Sequence, residues 1–213
     1  MSVMQQFSRA LQISFISLTL LVATTAHAQD NLQQAQRRAQ SMLDEGKETI
    51  ALQGKAKVDA VHDIVLRYVD VKSVARFVLG KHLRTLANQT DLMNQYNTAF
   101  EFFLSRYLAK LLSGNYARNG ITAGTPKEKI DDANKSVDVP LQGISLGSGG
   151  ITSTVTAALT LQPRSDGNYW VVDVLVQQFD MALNFRQQFT DYLGKYSDKQ
   201  GIPDLAGLTE YLN

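Results

Sequence analysis

With 213 residues, 44% of them hydrophobic and 19% charged, the chain is long enough for one domain with a real core. Its 21 Lys and Arg nearly balance 20 Asp and Glu, for a formal net charge of +1. That excludes the electrostatic footprint of a nucleic-acid binder, and no basic cluster marks a firmly membrane-attached surface. Cysteine is absent, which excludes disulfides, thiolate chemistry and lipoprotein acylation together.

Residues 1–28 read as an export signal. Arg9 gives a thin positive start, LQISFISLTLLVA (Leu11 to Ala23) is the apolar run, and Ala26-His27-Ala28 is a small-x-small cleavage site. The alternative, an uncleaved anchor, needs an apolar run of about 20 residues, and this one is shorter. The expected mature chain is a single domain over residues 29–213, soluble in an exported compartment, with a bacterial periplasm the natural one. Without disulfides, its stability must come from packing.

The mature chain opens with helical patterns. The spacing predicts a surface helix from Gln29 to about Lys55, sparsely apolar at Leu32, Met42 and Ile50, with Arg37 and Arg38 on its wet face. A better stripe follows over Ala56 to Val69, with Val58, Val61, Ile64, Val65 and Tyr68. Asp70 punctuates, and Val71 to Leu79 is a short helix stopped by Gly80. Lys81 to Leu86 adds a turn or two, ended by Asn88. Thr90 is the expected N-cap of the longest apolar helix, with Asp91 in its first turn and Gly114 at its close. Met93, Tyr96, Phe100, Leu104, Tyr107 and Leu111 repeat along it at helical spacing. Phe103, Leu108 and Leu112 widen that stripe beyond what a two-layer contact needs.

Beyond Gly114 the period changes to alternation. Gly120 to Thr125 is a candidate short strand, PKEKIDDANK a polar loop, and Ser136 to Ile144 a strand whose Pro140 favours an edge or a bulge. GISLGSGG reads as a flexible connection, and Ile151 to Leu161 as the clearest strand. Asp166-Gly167 signals a hairpin. It leads into YWVVDVLV from Tyr169, a buried strand by its Val, Trp and Tyr content. Helices about Asn184 to Ser197 and Pro203 to Leu212 finish the chain, the first starting near Leu183 or Asn184, with Pro203 suited to a first helical turn. Helices, then three or four antiparallel strands, then helices is an α+β order. A twisted sheet with helices across its one dry face makes a cone or a clamshell.

The residues show little chemistry. His62 and His82 each stand without a metal-binding pattern, and no nucleophile elbow, phosphate loop or dinucleotide fingerprint is present. Asp173, mid-strand among Val and Trp, is either a base with a raised pKa or a structural group held by Arg or backbone donors. Asp173 and Arg186 are the charges nearest the apolar core around the last strand. The aromatic stripe is either core packing or the wall of a pocket. Periodicity does not separate the two.

Three segments, in this order and spacing, resemble a known family: VDVKSVARFVLGKHLR (Val69 to Arg84), AFEFFLSRYLAKLL (Ala99 to Leu112) and WVVDVLVQQFDMALNFRQQFTDYL (Trp170 to Leu193). Together with the export signal they resemble MlaC, the toluene-tolerance family of lipid-binding components of ABC transport systems. The resemblance covers nearly the whole mature chain and departs at Gln178 and Asp180, where relatives often carry Gly and Ser. It implies a nuclear-transport-factor-2-like α+β cone: a curved antiparallel sheet of about four strands packed on several helices, with an apolar interior pocket. It also implies a soluble periplasmic carrier that serves outer-membrane lipid asymmetry. Such a carrier moves phospholipid between an outer-membrane lipoprotein complex and the substrate-binding ring of an inner-membrane ABC transporter. It needs no cofactor, metal or catalytic group. A hopanoid-associated branch makes another lipid the alternative cargo.

On that resemblance the candidate lining residues are Phe77, Tyr96, Phe100, Leu104, Tyr107, Val139, Val155, Leu159, Trp170, Val172, Val174 and Met181, with Asp173 and Arg186 as structural polar groups. Both faces of the last strand are apolar, so its inward parity stays open. Two other classes remain: an isomerase-like enzyme built on Asp173, and a non-catalytic adaptor acting through a surface such as the Arg37-Arg38 helix.

Overall fold

The computed structural model describes residues 29–112, 121–131, 134–148, 151–154, 156–177, 179–198 and 201–213. The expected export signal (1–28), the helix stop at Gly114, the lining residue Val155 and the departure at Gln178 lie outside the described residues.

The first helix, α1, covers residues 29–48, and α2 covers Gly54–Tyr68. The expected single helix to Lys55 stops early. The backbone N–H and the hydroxyl of Thr49 both donate to the Gly46 carbonyl (3.1 and 2.8 Å), closing α1 with a turn, and Gly54 takes φ +56° to open α2. The residues of α1 that reach the core are small: Ala35 and Ala39 are fully buried, with Leu32 and Met42 packed half-buried beside them. Alanines let the helix axis come close, which a search for large apolar residues overlooks. Lys57 is buried on α2 and donates to the Ile50 carbonyl at 3.1 Å, satisfying the turn between the two helices.

Asp70 N-caps α3 (Val71–Val78) by accepting from the Ser73 amide at 3.0 Å. Gly80 follows with φ +55°, and a Cβ there would stand 3.0 Å from the Thr190 hydroxyl and 3.1 Å from the Arg186 Nε. Only glycine lets this corner come so near the penultimate helix. A 3₁₀ turn (Gly80–His82) and α4 (Leu83–Leu86) lead to α5 (Thr90–Leu112). The Met93 amide donates to the Gln89 carbonyl at 2.8 Å, so Gln89 flanks the helix and Thr90 is its first residue, not its cap.

The strands are β1 (Thr122–Ala123), β2 (Lys127–Asp131), β3 (Asn134–Gln142), β4 (Ser145–Ser148), β5 (Ile151–Thr154), β6 (Ala157–Pro163), β7 (Tyr169–Val176) and β8 (Phe179–Asp180). A six-stranded antiparallel sheet runs β1-β3-β6-β7-β8, with β2 also paired to β3. It does not close on itself. The expected PKEKIDDANK loop is therefore a correction: most of it forms β2 and the start of β3, in register from Lys127 opposite Asp138 to Asp131 opposite Asn134. Its charges suit an outer strand, where they discourage edge pairing. Pro140 answers the break between β1 and β2, since its carbonyl accepts from the Gly124 amide (2.7 Å) and it has no N–H to pair there.

Two further expectations are corrected. GISLGSGG contains β4, which pairs with β5, and the expected strand Ile151 to Leu161 is two strands. The ladder steps from Leu141 opposite Ala157 to Ser145 opposite Thr154, with Gly143 at φ +85° where the chain kinks. The Asp166-Gly167 turn stands as read, with Gly167 at φ +78°.

The helix α6 covers Met181–Lys195, starting earlier than expected because Asp180 caps it by accepting from the Leu183 amide. The last helix, α7, covers Leu205–Leu212 and is capped by Asp204. Pro203 therefore precedes the helix, in a bridge to Ser197. Among the described residues no helix is long and apolar enough to cross a membrane. One core joins α1, α2, α3, α5, α6 and α7 to the inner face of β3, β6 and β7.

Candidate functional site

Strand β7 sets the site, through a bulge. Thr160 lies opposite Asp173 but Leu161 lies opposite Val171, so Val172 is the extra residue. Directly opposed residues share a face. Leu161, Leu159 and Ala157 are buried, which puts Val171, Val174 and Val176 on the inner face. The parity of β7 changes at the bulge, and one alternating set does not describe the strand.

Past the bulge the inner face borders an apolar cavity of about 200 Å³, partly open to solvent. Its floor is Leu141, Ala157, Leu159, Val174 and Val176 from the sheet. Val61, Ile64 and Val65 of α2 and Leu108 and Leu111 of α5 form the walls, and Met42, Leu43 and Ile50 close it from the α1 end. Ile121 and Ile144 complete the lining. Among the described residues Lys47 is the one charged lining residue, and Asp44 holds its ammonium at 2.8 Å. A second, much smaller void of about 30 Å³ lies against the bulge, lined by Leu104, Val171, Val172, Asp173, Met181 and Phe185 among others.

The expected lining residues fall into four groups. Leu159 and Val174 line the main cavity, and Leu104, Val172, Val174 and Met181 line the smaller void. Tyr96, Phe100 and Val139 are fully buried in the packed core; the Tyr96 hydroxyl donates to the Ala75 carbonyl at 3.0 Å, and burial pushes its pKa up. Phe103 and Phe189 pack tilted and edge-on against Phe100, so the inner stripe of α5 is an aromatic core, whereas Tyr107 is exposed and only meets Phe185 edge-on. Phe77 is exposed beneath the Arg186 guanidinium (4.8 Å), and Trp170 lies on the other parity of β7 between Arg38 (5.5 Å) and Arg164 (4.5 Å).

Sequence reasoning missed the contribution of α1 and α2. Ile50, Val61, Ile64 and Val65 stood in the helical stripes, but nothing local says that a stripe faces a void. Leu108 and Leu111 were legible as the excess width of α5.

Asp173 is bonded to backbone amides. Its carboxylate accepts from the Val174 amide (2.8 Å) and from the Ala182 amide (2.9 Å) at the start of α6. Arg186 is not its partner. Burial pushes the Asp173 pKa up to about 6, against the pull of the Ala182 amide and helped by the neighbouring Asp180 carboxyl. A carboxyl with a raised folded-state pKa is bound to its proton more tightly in the fold than unfolded. The Asp173 contribution to stability is then greatest below about pH 4 and falls as pH rises through about 6. Asp173→Asn is expected to abolish this slope, matching wild type at pH 4 and exceeding it by about 1 kcal/mol at pH 7.5, after allowance for solvent screening. Urea unfolding at the two pH values measures it; equal stability of the variants at both would refute the assignment.

His62 is held by Glu101 (Nε2 to Oε1, 2.7 Å) and stacks on Phe102 at 4.6 Å. Among the described residues no group of three or more His, Asp or Glu side chains is placed to hold a metal.

The arrangement defines an α+β protein in which an open antiparallel sheet and crossing helices enclose an apolar cavity. A family model described as MlaC protein matches residues 33–209. Among solved structures, a phospholipid-binding protein from Ralstonia solanacearum, determined in complex with a phospholipid, matches with a TM-score of 0.60. It is 18% identical, and the match covers 84% of this chain and 94% of that one. No curated protein matches. The family model spans most of the chain, and the chain belongs to the MlaC family.

Proposed function

We propose that this protein is a periplasmic lipid carrier, released by cleavage after Ala28, that shuttles phospholipid between outer-membrane and inner-membrane components of an Mla-type ABC transport system. The observation that carries the reading is the apolar cavity of about 200 Å³, whose charged lining residue sits in an ion pair. Each buried methylene gains about 0.8 kcal/mol relative to water, and a bilayer offers the same gain. A carrier therefore needs an interior about as dry as a membrane. It does not need catalytic residues, and the use of Asp173 in holding α6 to the sheet supports binding without turnover. The substrate-binding ring of an inner-membrane transporter and an outer-membrane lipoprotein complex are the partners that family membership suggests.

The test is native followed by denaturing mass spectrometry on mature protein purified from a bacterial periplasm. A releasable adduct of phospholipid mass is the expected result. A hopanoid mass would change the cargo. Protein that stays empty after incubation with phospholipid liposomes would sink the carrier reading.

A further inference from the structure

The main cavity and the smaller void share three lining residues: Met42 of α1, Leu108 of α5 and Val174 of β7. They meet from three separate elements, and each is only half-buried although it packs against the core. All three border both voids. We propose that Met42, Leu108 and Val174 form a movable partition that sets how much hydrocarbon the site admits, an inference that rests on the lipid-carrier reading above.

The argument is one of size and stiffness. About 200 Å³ is less than the ~300–1,000 Å³ of sites that enclose drug-sized ligands, so a long acyl chain needs more room than the main cavity offers. The void beyond the partition, against Leu104, Phe185 and the bulge of β7, adds only about 30 Å³, so most of the added room is the volume that the Met42 side chain itself vacates when it moves. Val174 is β-branched and fixed in the ladder opposite Leu159. Leu108 sits within a long helix. Met42 is unbranched, with three rotatable bonds and a polarizable thioether that tolerates several surroundings. It is the member that moves. With Met42 swung aside, the two voids become one largely apolar slot, running from Lys47 to the start of α6.

The experiment compares two lysophosphatidylcholines, one with a ten-carbon and one with an eighteen-carbon chain, by calorimetric titration. Wild type, Met42→Ala and Leu108→Phe are measured, with circular dichroism as the check on folding. Met42→Ala is expected to raise the long-to-short affinity ratio by about tenfold, the effect of about two further buried methylenes. Leu108→Phe, which thickens the partition, is expected to lower it by a similar factor. Binding of both lipids at an unchanged ratio in both variants overturns the partition alone. Failure of folded wild type to bind either lipid overturns the carrier reading, and the partition with it.

Discussion

Ala157→Trp is expected to deplete the protein of bound lipid by at least tenfold while leaving it folded. Ala157 is almost fully buried at the inner start of β6, opposite Leu141 and Val176, and all three line the main cavity. An indole there projects into the space a hydrocarbon chain would fill. Adding bulk to a close-packed core costs about 1–3 kcal/mol, because neighbours are forced off their rotamers. At Ala157 the added atoms meet a void, so the melting temperature is expected to move by only a few degrees. Ala158→Trp is the control, one residue along the same strand and therefore on the opposite face of the sheet. It pairs with Pro140 and Leu175, outside both voids, and is expected to keep its lipid. Lipid extraction and mass spectrometry of the two variants decide the matter. Depletion in both, or in neither, would remove the cavity from the account.

That contrast between neighbouring residues shows where the sequence was legible. On β6 the alternation of Leu159 and Leu161 with Thr160 identifies the inner face, and Ala157 follows by parity. On β7 it does not: YWVVDVLV is apolar at both parities, and the bulge at Val172 exchanges the faces partway along. Trp170, Val172 and Val174 form one alternating set in the sequence and point to three different surroundings in the fold. The long helix was legible as an element, from the spacing of Met93 to Leu111, but its aromatic residues pack on Phe185 and Phe189 over a separation of about eighty positions. No local pattern carries that distance. Charge misled the assignment of β2, since Lys127, Glu128 and Lys129 read as loop and serve as an edge strand. Small residues hid the buried face of α1, whose fully buried positions are alanines.

The hairpin that brings β7 to the cavity is anchored by a pair that sequence reasoning treated as punctuation, and breaking it gives the largest expected loss of stability. Asp70 is buried between α2 and α3; its carboxylate caps α3 at Ser73 and accepts from the Arg164 Nε at 2.9 Å. Its own amide donates to the Val171 carbonyl at 2.9 Å, so this corner ties the helices to β7 one residue before the bulge. Burial would raise the Asp70 pKa, but the Arg164 and Ser73 bonds outweigh it and hold the carboxyl below its ordinary value. The contribution is therefore fully present above the unfolded pKa of about 3.9 and is lost as pH falls through the lower folded value. Removing one partner of a fully buried pair costs about 3–5 kcal/mol. The Arg164 side chain is 37% exposed, and solvent screening reduces the expected loss for Arg164→Ala to about 2 kcal/mol at pH 7. The pH dependence is the sharper readout. Without Arg164 the Asp70 carboxyl loses the largest bond that opposes its burial, so its folded pKa rises from the wild-type position and the stability that it contributes above about pH 3.9 shrinks. Asp70→Asn in the Arg164→Ala background should recover part of the loss, since an amide carries no charge to bury and still accepts from Ser73. A slope unchanged from wild type in Arg164→Ala would mean that water already neutralises Asp70, leaving the backbone bond to Val171 as the tie that positions β7 beside the cavity.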